Sequence, residues 1–219
     1  MIDKVFAVKE AIAKIEDGSR VMIGGFGLRG SPDKLIDELV ASQKKRLTVI
    51  SNDLGSPNIG IGRLLTNGQI KALIGSHYNF NPEVSEKYNA GLIDVTIVPQ
   101  GTLAESIRAA GAGIPAYYTR TCVDTTLEKG KEVKYFNGQK YVMEEAIGAD
   151  YAIIHAKKAD RLGNLVFSKT ARTFNPLMAM AARFTIVEVE EIVEPGELDP
   201  ESIVVPHVYV NAIVKVDKQ

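Results

Sequence analysis

Gly25-Phe26-Gly27-Leu28-Arg29-Gly30 follows the apolar run Val21-Met22-Ile23 and matches the pattern G-x-G-x-x-G. Asp53 lies 23 positions after Gly30, near the end of the next apolar run. A strand, a glycine turn and a helix, with an acid beyond, form a dinucleotide-binding fingerprint. The glycines let backbone amides approach a pyrophosphate, and the acid takes the ribose hydroxyls. In that fingerprint the helix begins inside the motif. Here Ser31-Pro32-Asp33 predicts a start after the last glycine, with Ser31 as N-cap, Pro32 at the first helical position and Asp33 near the positive dipole end. Gly24, Gly25, Gly27 and Gly30 then belong to a loop, and bare amides beside a helix N-terminus suit an anion or a developing oxyanion. Local grammar therefore leaves three possibilities: a nicotinamide or flavin site, an oxyanion loop, and a turn that uses glycine for conformation alone.

Other chemistries are excluded more firmly. Cys122 is the only cysteine, so neither an intramolecular disulfide nor a cysteine-rich metal site can form. His77, His155 and His207 are scattered without an H-x-x-x-H pair, and each reads as a structural histidine. Lys and Arg total 26 against 27 Asp and Glu, so no global field draws the chain to nucleic acid. The cluster Lys44-Lys45-Arg46 reads as a solvated turn. No apolar run approaches the roughly 20 residues of a membrane span, and Met1-Ile2-Asp3-Lys4 leads into a helix pattern without a signal-peptide core. A cytoplasmic protein with no membrane partner is the expectation.

The elements that must position the loop alternate regularly. Val8, Ile12 and Ile15 predict a first helix over about 5–15, and Val21–Ile23 a buried strand. Leu35, Ile36, Leu39 and Val40 give the second helix its buried face. Strands over 47–51, 70–74 and 94–98 are separated by helices over 61–66 and 82–90, and a helix over 102–110 follows. Single helices between strands imply an α/β fold: an open, mostly parallel sheet with helices on both faces. Asn52-Asp53 and Pro99-Gln100-Gly101 then lie at the strands' carboxyl ends, where such sheets bind ligands. Asn137-Gly138 between β-type runs predicts an inserted hairpin with a type I′ turn. The pattern resumes with strands over 151–156, 165–167 and 184–189, a helix over 176–182 and a last strand over 208–214. With 219 residues and no repeat, linker or low-complexity tract, a single domain over 1–219 is expected.

The stretch Asp17-Gly18 through Ser31-Pro32 resembles the first signature of the family I CoA transferases. That signature is an acidic-Gly turn, three apolar residues, Gly-Gly-Phe, three variable residues and Gly-x-Pro. Ser51-Asn52-Asp53, Pro99 through Glu105, Gly111-Ala112-Gly113, Ala159 through Asn164, Phe174-Asn175-Pro176 and Val187 through Glu191 resemble the family's α subunits in order and spacing. The resemblance runs from about residue 5 to residue 214.

It implies a CoA-transferase α subunit (3-oxoacid, acetate–acetoacetate or butyrate–acetoacetate type), with the fold shared by these enzymes and the sugar-phosphate isomerases. CoA would pass between an acyl-CoA and a short-chain carboxylic or 3-oxo acid through a glutamyl-CoA thioester, with no metal or redox cofactor. The family's nucleophile lies in a Ser-Glu-Asn-Gly-type segment of the β subunit, and no such segment occurs here. A β-subunit partner, in a heterodimer or heterotetramer, is therefore implied. Glu188, Glu190, Glu191 and Glu194 read as solvated surface. By the resemblance, Asn52 and Gln100 reach the partner's glutamate and the bound carboxylate or thioester. Gly24, Gly25, Phe26, Gly27, Leu28, Arg29 and Gly30 would shape the entrance near the CoA thioester. A nicotinamide-dependent oxidoreductase and a non-catalytic small-ligand domain of the same fold remain the alternatives. Thr119 through Thr125 departs from the family's Thr-Pro-Thr-Gly-x-Gly-Thr, and Asn79 stands where glycine is common. Both departures predict that positive φ is avoided at those points.

Overall fold

The computed structural model describes residues 3–217, so Met1 and Ile2 of the N-terminal reading lie outside the described residues. The chain runs α1 (Val8–Ala13), β1 (Arg20–Ile23), α2 (Asp33–Ala41), β2 (Leu47–Ile50), α3 (Gly62–Thr66), β3 (Ile70–Gly75), α4 (Pro82–Asn89), β4 (Asp94–Ile97) and α5 (Gln100–Gly111). It continues with β5 (Ala116–Thr119), β6 (Val133–Phe136), β7 (Gln139–Glu145), β8 (Ala149–Asp160), β9 (Leu165–Val166), α6 (Asn175–Ala181), β10 (Ala182–Val193) and β11 (Ala212–Lys215).

The main sheet has the order β11-β10-β8-β1-β2-β3-β4, with every pair along that path parallel. Only β9, folded back on β8, is antiparallel. Alternation along the strands splits the interior in two. Val21, Ile23, Leu47 and Val49 join Leu35, Ile36 and Leu39 of α2 on one face, with α1, α3 and α4. Met22 and Ile50 point the other way, against Leu103 and Ile107 of α5 and Met178 of α6. A sheet covered on both faces needs apolar residues at successive positions, which is why its strands read as continuous apolar runs.

The predicted hairpin is present: β6 and β7 pair antiparallel, and Asn137 and Gly138 both hold positive φ (49° and 76°), as a type I′ turn requires. It is part of a three-stranded sheet, β5-β7-β6, because β5 pairs with β7 as well.

Several expectations are corrected. The first helix is shorter than 5–15, because Val5 bridges Ile213 and Phe6 N donates to Ile213 O at 2.9 Å, extending the sheet beyond β11. The last strand begins at Ala212, since His207–Tyr209 forms a 3₁₀ turn. Ser31 does not cap α2. The cap residue is Pro32, without a side-chain bond, and the free amides of Lys34 and Leu35 donate to Glu188 Oε2 at 2.9 and 3.0 Å. Glu188 is therefore not solvated surface: it is fully buried on β10, and His155 Nδ1 lies 3.3 Å from its Oε1. Glu191 and Glu194 pair with Lys158 and Arg161 at the surface, as solvated carboxylates do. Finally, Cys122 and Asp124 do adopt positive φ (72° and 60°), held by the turn in which Thr125 N and Thr125 Oγ1 donate to Cys122 O. These two non-glycine residues thus hold a conformation that glycine favours. Asn79 is not among the positive-φ residues.

Candidate active site

β1, β2, β3 and β4 all end on the same side of the sheet, and the residues after each converge there. The loop after β1 supplies Phe26, Gly27 and Leu28, and the end of β2 supplies Asn52 and Asp53. The end of β3 supplies Ser76 and His77, and the first turn of α5, just past β4, supplies Gln100. With Gly55, Ser56, Ile59 and Phe80 they line an open cavity of about 570 Å³. Its rim is apolar: Phe26 is 51% exposed, Leu28 58%, Ile59 49% and Phe80 72%. Four large apolar side chains left in solvent around one opening mark a surface built to be covered.

The polar floor is a single hydrogen-bonded array. Gln100 Nε2 donates to Asn52 Oδ1 at 2.7 Å, and Ser76 Oγ donates to the same oxygen at 2.8 Å. Asn52 Nδ2 donates to Asp53 Oδ2 at 2.7 Å. That carboxylate also accepts from Gly27 N at 2.8 Å through Oδ2 and from Gly55 N at 2.9 Å through Oδ1. Asn52 is buried, whereas Gln100 is exposed on the first turn of α5, near the positive end of that helix's dipole. Behind the floor, burial and then the Asp53 charge push the Tyr78 phenol far above its ordinary value, so it stays neutral.

The structure separates the seven glycine-loop residues. Phe26, Gly27 and Leu28 line the cavity, while Gly24, Gly25, Arg29 and Gly30 do not. Phe26 and Arg29 exchange backbone hydrogen bonds at 3.0 and 3.1 Å, closing a two-residue turn over Gly27 and Leu28, with Gly27 at φ 55°. Some of the loop's amides are already engaged, Gly24 N with Ile153 O and Gly27 N with Asp53, so it presents fewer bare donors than its glycines suggest. Gly24 and Gly30 serve close packing instead. A Cβ on Gly24 would collide with Asn175 Oδ1, and one on Gly30 with Ala171 O. Asn175, fully buried at the start of α6, binds Gly30 O and His155 N through its amide and so locks the loop base to the far half of the sheet.

The dinucleotide reading fails on the same geometry. Asp53 is spent on Gly27, Gly55 and Asn52, and α2 begins only at Asp33, beyond every glycine. Sequence reasoning missed Ser76, His77, Phe80 and Ile59. The first two stand at a strand's carboxyl end and were open to the same rule that found Asn52. Phe80 and Ile59 carry no local signal.

With its supporting contacts in place, the site offers one solvent-facing amide, an apolar mouth and one carboxylate whose two oxygens already hold three donors. It can bind and orient a carbonyl or carboxylate. Ser56, Ser76 and His77 also line it, and no hydrogen bond joins either hydroxyl to the imidazole, so neither serine is set up as an activated nucleophile.

The chain is 50% identical over 209 residues to a subunit of the succinyl-CoA:3-ketoacid coenzyme A transferase of Helicobacter pylori strain J99, covering 95% of this chain and 90% of that protein. Among solved structures, glutaconate coenzyme A-transferase from Acidaminococcus fermentans superposes with a TM-score of 0.85 at 25% identity, over 98% of this chain and 76% of that one. An acyl-CoA transferase from E. coli O157:H7, solved as a thioester complex with CoA, superposes with a TM-score of 0.88 at 24% identity and shows the shared fold. That superposition takes in 98% of this chain and about half of the longer one, 47%. The profile of the family described as Coenzyme A transferase matches residues 5–216, and the chain belongs to that family.

Proposed function

We propose that this chain is the α subunit of a cytoplasmic CoA transferase that moves CoA between an acyl-CoA and a short-chain carboxylic or 3-oxo acid. The attacking glutamate comes from a β subunit seated over the apolar rim. The glutamate carboxylate adds to the thioester carbonyl and expels CoA thiolate, leaving an acyl-glutamyl anhydride. The thiolate then attacks the glutamyl carbonyl, releasing the first acid and leaving CoA on the glutamate as a thioester. The second acid runs these steps in reverse. Splitting one exchange into covalent halves conserves the thioester that hydrolysis would waste. The CoA thioester is a substrate here, and no resident metal or redox group enters the scheme.

The observation that carries this function is Gln100, a neutral amide held by Asn52 at the mouth of an otherwise apolar cavity. A neutral donor stabilises charge developing on a carbonyl oxygen without binding the ground-state carboxylate too tightly. The one carboxylate on the floor, Asp53, already accepts from three protein donors, which supports a nucleophile supplied by the partner. The relative from H. pylori is named for succinyl-CoA and 3-ketoacids, which supports a 3-oxo acid such as acetoacetate as one acid of the pair.

The test is reconstitution. A β-subunit partner, about 210–230 residues by ordinary domain size, is purified separately, and CoA transfer is measured for each chain and for the mixture. Activity only in the mixture is expected, with hydroxylamine or borohydride trapping the thioester on the partner. Full activity from this chain alone, or a trapped thioester on one of its own glutamates, overturns the assignment.

A further inference from the structure

We propose that Asp53 is a positioning residue for the transfer, setting the polarity of the Asn52–Gln100 amide pair and thereby which atoms Gln100 presents to the substrate. The role rests on the CoA-transfer function proposed above. An ionised carboxylate only accepts hydrogen bonds, so the Asn52 atom 2.7 Å from Asp53 Oδ2 must be its nitrogen. The Asn52 oxygen is then turned toward Ser76 and Gln100. That oxygen has two lone pairs, and the Ser76 hydroxyl approaches one at 2.8 Å while sharing its single hydrogen with the backbone Asn52 O at 2.9 Å. Only an N–H of Gln100 suits the other. Gln100 is left with its second N–H for an incoming oxygen, and its orientation traces back, amide by amide, to a charge two residues away in the relay.

Asp53 also ties that relay to the entrance loop. The oxygen that fixes Asn52 accepts from Gly27 N at 2.8 Å, and the other accepts from Gly55 N. Both of these amides belong to segments that line the same cavity. Three donors meeting on one carboxylate that is only half-buried exceed what a strand-end turn requires. Gly55 alone would close the Asx-type turn. The donors from Asn52 and Gly27 are the ones that face the site.

The experiment is a double-mutant cycle on the reconstituted α/β pair, with Asp53→Ala, Gln100→Ala and the double variant. Wild-type transfer activity is the baseline; its absence would refute the proposed function and not this relay. With the baseline active, Asp53→Ala should lower kcat by about 10- to 100-fold, the scale of a misdirected oxyanion-type donor. In the Gln100→Ala background the same change should cost no more than about twofold, because residues acting through one another are not additive. Asp53→Asn, with one acceptor oxygen for three donors, should recover part of the loss. Equal factors in both backgrounds, or an unchanged kcat for Asp53→Ala, would overturn the relay. A neutron structure of the wild-type pair decides the matter without any variant. Deuterium on the Asn52 atom facing Asp53 and on the Gln100 atom facing Asn52 supports it, and a carbonyl oxygen at either place overturns it.

Discussion

Glu188 Oε2 accepts the Lys34 amide at 2.9 Å across 154 residues of sequence, so a carboxylate on β10 caps a helix packed in the other half of the sheet. It accepts the Leu35 amide too and is fully buried, with the His155 ring 3.3 Å from its second oxygen. Glu188→Ala leaves two amides and an imidazole without this partner. A loss of about 2–4 kcal/mol is expected in urea unfolding, as for a deleted cap compounded by buried unsatisfied donors. Transfer activity per folded pair should be unchanged, because Glu188 does not line the cavity.

Gln100 and Asn52 should separate in their effects. Gln100 is exposed on the first turn of α5, so Gln100→Ala should lower kcat by about 10²-fold and leave the unfolding midpoint unmoved. Asn52 is buried with three side-chain hydrogen bonds, and its removal deprives Gln100 and Asp53 of a partner and leaves Ser76 Oγ only the backbone carbonyl of residue 52. Asn52→Ala should therefore lower both kcat and stability, the latter by about 1–3 kcal/mol. Steady-state kinetics beside thermal unfolding distinguishes the two.

The glycines divide in the same manner. Gly24→Ala meets the Asn175 side chain and should abolish soluble expression or lower the melting temperature sharply. Gly27 has open space around its missing Cβ but a φ of 55°, so Gly27→Ala should fold with a cost of about 1 kcal/mol. Gly27→Val adds a stiff branched side chain at the cavity and should raise KM for the acyl-CoA. Circular dichroism on the free chain and kinetics on the pair check these outcomes.

Cys122 should be a poor nucleophile. Burial pushes its thiol above the ordinary value, and the nearby Glu144 charge adds to that, against the opposing pull of Lys131. Only the thiolate alkylates, so raising pH through the neutral range should increase labelling by iodoacetamide. At pH 7.5 the folded chain should react at least about tenfold more slowly than the urea-unfolded one. Mass spectrometry at timed intervals reads this directly.

The alternation of strands and helices was legible because most strands of the doubly covered sheet contain a short apolar run, although β8 and β10 continue past theirs into charged positions. Asn52 and Gln100 were legible as strand-end residues, and the family's motifs gave them a task. Glu188 was not. On paper it belongs to a run of acids on one strand, and only the fold brings Lys34 and Leu35 to it. The cap predicted for Ser31 failed for the same reason: a distant group won the position that local preference assigned to a neighbour. Gly24 and Gly30 look alike in sequence to Gly27, yet their partner, Asn175, lies far along the chain. Asp53 was visible, but its type and spacing suggested a ribose, when its donors come from the protein itself.

The order of the strands has a consequence for how the chain is made. β1 pairs with β2 on one side, its near neighbour in sequence, and with β8 on the other. Everything that lines the cavity is therefore synthesised in the first half of the molecule, on strands that can zip together as they emerge. The three features that lock this half in place arrive late: Asn175 against the glycine loop, Glu188 on the end of α2, and Ile213 beside Val5. Closing such long loops is entropically slow, and long-range parallel pairing is the slow part of folding. A nascent chain stopped before β8 would thus carry every cavity-lining residue with its loops unfastened and one whole edge of β1 unpaired. Pairing of β8 and the strands after it, rather than synthesis of the cavity residues, is the step expected to turn a set of loops into a rigid wall.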